Sequence, residues 1–122
     1  MQLKLQQRQD GDVTIVELDG SLILGAEADA LREMVRKLLK SRRVKIVLHL
    51  QQVNRLDSVG VGTMMDAVKR ARRAGGDVCL LQLSKRVQDV LNLLGLGQRP
   101  ELLRICSDEQ AAVDSFRLAA PS

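Results

Sequence analysis

Val44-Lys-Ile-Val-Leu-His-Leu50, Gln51-Gln-Val-Asn-Arg-Leu56 and Asp57-Ser-Val-Gly-Val-Gly-Thr-Met-Met65 run consecutively, and together they indicate the architecture. Val44 to Leu50 is apolar on both faces, as expected for a central strand covered on both sides. A short polar connection should follow. Asp57-Ser58 then opens a helix expected over about Ser58 to Ala74. Val61, Met64, Met65 and Val68 form its core stripe, while Asp66, Lys69, Arg70 and Arg73 face water. Gly75-Gly76 terminates the helix, and Val78 to Leu83 reads as another buried strand. A strand, a helix and a second strand in such close succession predict a parallel crossover unit.

The same reading extends outward in both directions. Leu3 and Leu5 alternate with Lys4 and Gln6, a strand with one wet face. Asp10-Gly11 is a hairpin signal, so Val13 to Leu18 should pair with that strand antiparallel, broken by Asp19-Gly20-Ser21. A first helix is expected from Ala26 to Lys40, with Leu31, Met34, Val35, Leu38 and Leu39 on one stripe. Glu33 and Lys37 are spaced for an i,i+4 pair on its wet face. Downstream, Ser84 caps a third helix whose apolar face carries Val87, Val90, Leu91 and Leu94, and Gly95 supplies the left-handed end. Leu102 to Cys106 reads as a short final strand. Ser107-Asp-Glu-Gln110 is a capping box for a last helix carrying Val113 and Phe116. The expected order is therefore ββαβαβαβα: an α/β fold with a mixed, mostly parallel sheet and about four helices. One domain over residues 1–118 is expected, with 119–122 as a frayed tail.

Composition narrows the function classes. Hydrophobic residues make up 45% of the 122, yet Phe116 is the sole aromatic, so the core must be aliphatic. Net charge is +4, with cations crowded in Arg36 to Lys45 and Lys69 to Arg73. Both clusters fall at predicted helix ends, where cations complement the dipole. With no aromatics for base stacking and no zinc or helix-turn-helix spacing, direct nucleic-acid binding is not expected. The first residues alternate rather than forming an apolar leader. Apolar runs fall far short of the ~20 residues that span a bilayer, so a cytoplasmic protein is expected. Cys79 and Cys106 lie in apolar strand contexts and read as buried free thiols rather than a disulfide framework.

Asp57-Ser58 is the most informative dipeptide. It places a hydroxyl at a helix N-terminus, where free N–H groups and the dipole favour added negative charge. An N-cap alone would account for either residue. Gly60 and Gly62 in the first turn add to that, since each costs about 1 kcal/mol relative to Ala in a helix. Glycine there leaves Ser58 unshielded or lets backbone approach closely. No base is positioned for nucleophilic catalysis: His49 is the only histidine and reads as a hydrogen-bonded residue of the sheet. Gly60-x-Gly62 lacks the third glycine of a dinucleotide fingerprint, and no Walker-type sequence occurs. No catalytic residues, cofactor or metal site are expected. Thr63, the nearest other hydroxyl, is expected on the wet face of its helix.

At this point the chain resembles the STAS family, the anti-sigma factor antagonists, over nearly its whole length. The likeness rests on Leu18-Asp19-Gly20-Ser21-Leu22, Val47-Leu48-His49-Leu50 and Leu56-Asp57-Ser58-Val59-Gly60-Val61-Gly62, with Ala74-Gly75-Gly76 and Leu94-Gly95-Leu96 also matching. The resemblance implies that Ser58 accepts a phosphate from an anti-sigma factor that is also a serine kinase. It further implies that the unphosphorylated form captures that partner and frees a sigma factor, with a phosphatase to reverse the switch. The implied contact patch is Asp57, Val59, Gly60, Val61 and Gly62, joined by Ser21 and Leu22. Three positions depart from the family pattern: Val59 replaces a small or hydroxyl residue, Ile23 a loop aspartate, and His49 an Asp or Asn. The alternative is a non-switching STAS subunit of a transport complex, or a stress-signalling scaffold.

Overall fold

The computed structural model describes residues 2–119. β1 (Leu3–Asp10) and β2 (Val13–Leu22) form the hairpin, which turns on Gly11 at φ 61°. α1 (Ala26–Lys40), β3 (Lys45–Leu56), α2 (Ser58–Arg73), β4 (Asp77–Leu81), α3 (Lys85–Leu93), β5 (Arg104–Cys106) and α4 (Glu109–Ala119) follow in the expected order. The strands lie in space as they lie in sequence, β1-β2-β3-β4-β5. β1 runs antiparallel to β2, and the remaining neighbours are parallel. Of the expected tail, Ala119 is the last residue of α4, and 120–122 fall outside the described residues.

Alternation along the strands sorts the core into two layers. Val16, Leu18, Ile46, Leu48, Leu50 and Leu80 pack with Leu31 and Val35 of α1, Met64 and Val68 of α2, and Val87 and Leu91 of α3. The intervening residues Val13, Ile15, Val47, Cys79 and Leu81 meet Ala112, Val113 and Phe116 of α4. Three helices therefore cover one face and one helix the other, which is why these strands read as apolar on both sides.

Several boundaries differ from the sequence reading. β2 does not break at Asp19-Gly20-Ser21. It runs on to Leu22 with irregular register; Gly20 adopts φ 124°, and a Cβ there would collide with the Gln2 carbonyl oxygen. The supposed polar connection, 51–56, is strand: it continues β3 beside that end of β2, with Gly20 opposite Val53 and Leu22 opposite Leu56. β4 stops at Leu81, since Gln82 takes the left-handed φ of 48°. Leu94 is the C-cap of α3 and is exposed rather than facing the core. At α4, Asp108 rather than Ser107 does the capping, its Oδ1 accepting from the Ala111 N–H at 2.8 Å. Glu33 pairs with Arg36 at i,i+3 instead of Lys37, with Nη2 to Oε1 at 2.6 Å.

Candidate functional site

The site forms where β2 and β3 end together. Asp57 leaves β3 in an extended conformation, φ −115° and ψ −179°, and caps α2: its Oδ1 accepts from the Gly60 N–H at 2.8 Å. The other carboxylate oxygen accepts from the Leu24 N–H at 2.9 Å. One side chain thus fastens the loop after β2 to the first turn of α2. Burial disfavours the charge on Asp57, but N–H groups of Leu24, Gly60 and Val59 outweigh it and hold the carboxyl below its ordinary range.

Ser58 is the first residue of α2 and is exposed. The first turn contains no acidic side chain, and the Asp57 carboxylate at the N-cap takes up the Gly60 N–H, so the positive helix end beside that hydroxyl is already partly compensated. The two glycines separate in role. A Cβ on Gly60 would collide with the Leu22 carbonyl oxygen, so its absence lets α2 rest directly on the end of β2. Gly62 faces open space and is exposed.

The remaining expected patch residues divide. Val59 is half-buried, while Gly60 and Val61 are buried on the inner side of the first turn of α2. Ser21 and Leu22 are fully buried, because β2 continues through them; the Ser21 hydroxyl donates to Asn54 Oδ1 at 3.3 Å. The loop contributes the next two residues instead. Leu24 is 70% exposed, and Ile23 lines a cavity of about 220 Å³ with Arg55, Leu56, Asp57 and Arg86. The sequence reading did not pick out Leu24, Arg55 and Arg86. The available signal was an apolar residue at a helix entry, Leu24-Gly25, without a stripe to join.

Thr63 corrects a second expectation. It is 3% exposed, with its hydroxyl donating to the Val59 carbonyl at 2.8 Å and accepting from Arg32 Nη2 of α1 at 3.2 Å. The buried arc of α2 is wider than the stripe because the helix packs on α1 as well as on the sheet. His49 sits in the sheet, with Nε2 2.9 Å from Gln82 Oε1 and Nδ1 3.9 Å from Glu17 Oε1. Among the described residues no cluster of His, Cys, Asp and Glu gathers as a metal site, and no helix is long and apolar enough to cross a membrane.

Comparison with known proteins places this geometry. The family model described as the STAS domain matches residues 4–112. A Thermotoga maritima protein provisionally assigned as an anti-sigma factor antagonist is 24% identical, at TM-score 0.82, over 93% of this chain and 94% of its own. The anti-sigma factor antagonist SpoIIAA in its unphosphorylated form is 21% identical at TM-score 0.68, over 97% of this chain and 100% of its own. The murine anion transporter Slc26a9 also superposes, at TM-score 0.73 and 15% identity; 91% of this chain matches 18% of that one. At these identities the likeness is one of fold.

Proposed function

Since the chain belongs to the STAS domain family, we propose that it is an anti-sigma factor antagonist acting as a phosphorylation-gated binding module in the cytoplasm, without catalysis of its own. The supporting observation is the exposed Ser58 hydroxyl on the first residue of α2, above a cap already fixed by Asp57. In this reading the unphosphorylated surface binds an anti-sigma factor with serine kinase activity and so releases a sigma factor. The kinase then modifies Ser58, and a phosphatase resets it.

Phosphate adds about 1.5–2 negative charges. The helix N-terminus favours such charge by about 0.3–1 kcal/mol, which partly offsets repulsion from Asp57. Neither the Asp57 cap nor the Gly60 contact involves the Ser58 side chain, so the fold persists and the change is felt at the partner. There the added charge must be desolvated against a carboxylate or an apolar surface, which weakens the complex. Contact comes from Ser58, Asp57, Val59 and Gly62, flanked by Ile23, Leu24, Arg55 and Arg86.

Ser58→Ala and Ser58→Asp proteins used as paired baits in lysate of the source cell test this reading. The Ala form should capture an ATP-binding anti-sigma kinase that the Asp form does not, while both melt within a few degrees of the parent. Capture of the same transporter subunits by both baits would instead assign the chain to the transport-associated branch that its superposition on Slc26a9 makes the second reading. A large fall in melting temperature for Ser58→Asp would remove the argument that the switch acts only at the interface.

A further inference from the structure

Cys79 and Cys106 stand apart from the Ser58 surface and have no part in the proposed switch. They are 27 residues apart in sequence, on the neighbouring parallel strands β4 and β5, yet their sulfurs are 3.0 Å apart. Cys79 lies opposite Arg104 and Cys106 opposite Leu81, so the two side chains reach each other diagonally across the ladder. Both are free thiols.

We propose that this pair is an oxidation site, a dithiol that a peroxide converts to an intrachain disulfide joining β4 to β5. Three features support it. The sulfurs are already in contact, and bonding at about 2.05 Å needs an approach of roughly 1 Å. That approach falls on β5, an edge strand of only three residues, which can shift without moving the central sheet. The two thiols also differ in access: Cys79 is fully buried and Cys106 half-buried, so an oxidant reaches Cys106 first.

The order of steps follows from that difference. Burial, reinforced by the hydrogen bond with Cys106, pushes the Cys79 thiol well above its ordinary value, so it does not supply the initial thiolate. The Cys106 thiolate attacks one oxygen of hydrogen peroxide. An S–O bond forms as the O–O bond breaks, giving a sulfenic acid once the released hydroxide has taken up a proton. The Cys79 sulfur then attacks the Cys106 sulfur. The S–S bond forms, the S–O bond breaks, and the hydroxyl leaves as water with the Cys79 proton. Two thiols and one peroxide become one disulfide and two waters. Cys79 and Cys106 both pack on the cluster that seats α4, so the oxidised form would hold β5 to that seat covalently.

Treatment of the purified chain with hydrogen peroxide, followed by intact mass and a non-reducing peptide map, tests the proposal. The expected product is a monomer lighter by about 2 Da, with a cross-linked Cys79–Cys106 peptide that dithiothreitol reverses. Cys106→Ser should lose the cross-link while keeping the parent circular dichroism spectrum. A monomer that gains oxygen at Cys106 without cross-linking, thiols that stay reduced, or a disulfide-linked dimer would each overturn it.

Discussion

At the scale of single residues, Asp57 carries the site. Its two carboxylate oxygens hold the Gly60 and Leu24 N–H groups at once, so it serves as helix cap and loop fastener. Removing it in Asp57→Ala should cost about 0.5–2 kcal/mol, the range of a lost cap, read as a lower urea midpoint. The carboxyl is held below its ordinary value in the fold. Its contribution is therefore present above the unfolded value of about 3.9 and is lost as pH falls through the folded one. Urea titrations below about pH 4 should show this acid-dependent loss in the parent and a shallower one in Asp57→Asn, which cannot ionise. Parallel acid limbs for the two proteins would mean that the charge is incidental to the cap. The Asp57-Ser58 step was legible in the sequence because capping is chemistry within three residues of chain. Burial of Thr63 was not, because it depends on Arg32 from another helix.

At the scale of elements, the join between β2, β3 and α2 decides what the first turn can tolerate. Gly60 lies against the Leu22 carbonyl and the Leu56 side chain, whereas Gly62 meets nothing within 4 Å. Gly62→Ala should accordingly stabilise the protein by up to about 1 kcal/mol through helix propensity. Gly60→Ala should destabilise it by more than that, since the helix must lift from the strand. Paired urea denaturation curves check the opposite signs, and a shift in the same direction for both would contradict the contact. Helices α1 and α2 were readable almost to the residue because their stripes and the glycines after α2 are strong local signals. The far half of β3 was not, for 51–56 is mostly polar and exposed. Its strand character comes from pairing with β2, a partner some thirty residues away.

At the scale of the molecule, the uneven layering matters most. Three helices share one face, while α4 alone covers the other through Ala112, Val113 and Phe116. Arg8 of β1 adds a bidentate pair with Glu109 at the start of α4, although exposed ion pairs contribute little, about 0–1 kcal/mol. Phe116, whose ring also sits 4.8 Å from the Arg104 guanidinium, is the anchor. Phe116→Ala should cost about 3–5 kcal/mol, with faster amide exchange in α4 and β5 than in β3. A loss below about 1 kcal/mol would show that α4 only rests on the sheet. The element order followed from hydrophobic period together with turn and capping signals, and cover on both sides of the central strands from their unbroken apolar runs; which helices lie on which face did not. The exposed surface around Leu24, Arg55 and Arg86 did not, because it arises only where separate chain ends meet.

Past His49 the sheet narrows. β4 no longer accompanies β3, and the turn into α3 takes its place, with the Ser84 hydroxyl donating to the Val53 carbonyl at 2.6 Å. The tip bearing Ser58 is thus braced by the β2–β3 ladder and by the Asp57 and Ser84 side chains, while Ile23, Leu24, Arg55 and Arg86 around it take little part in the core. Under the proposed function, such a division lets descendants of one gene diverge in whom they recognise while inheriting the same frame. Duplicated copies in one cell could become insulated from each other by a few surface substitutions, each nearly neutral for folding.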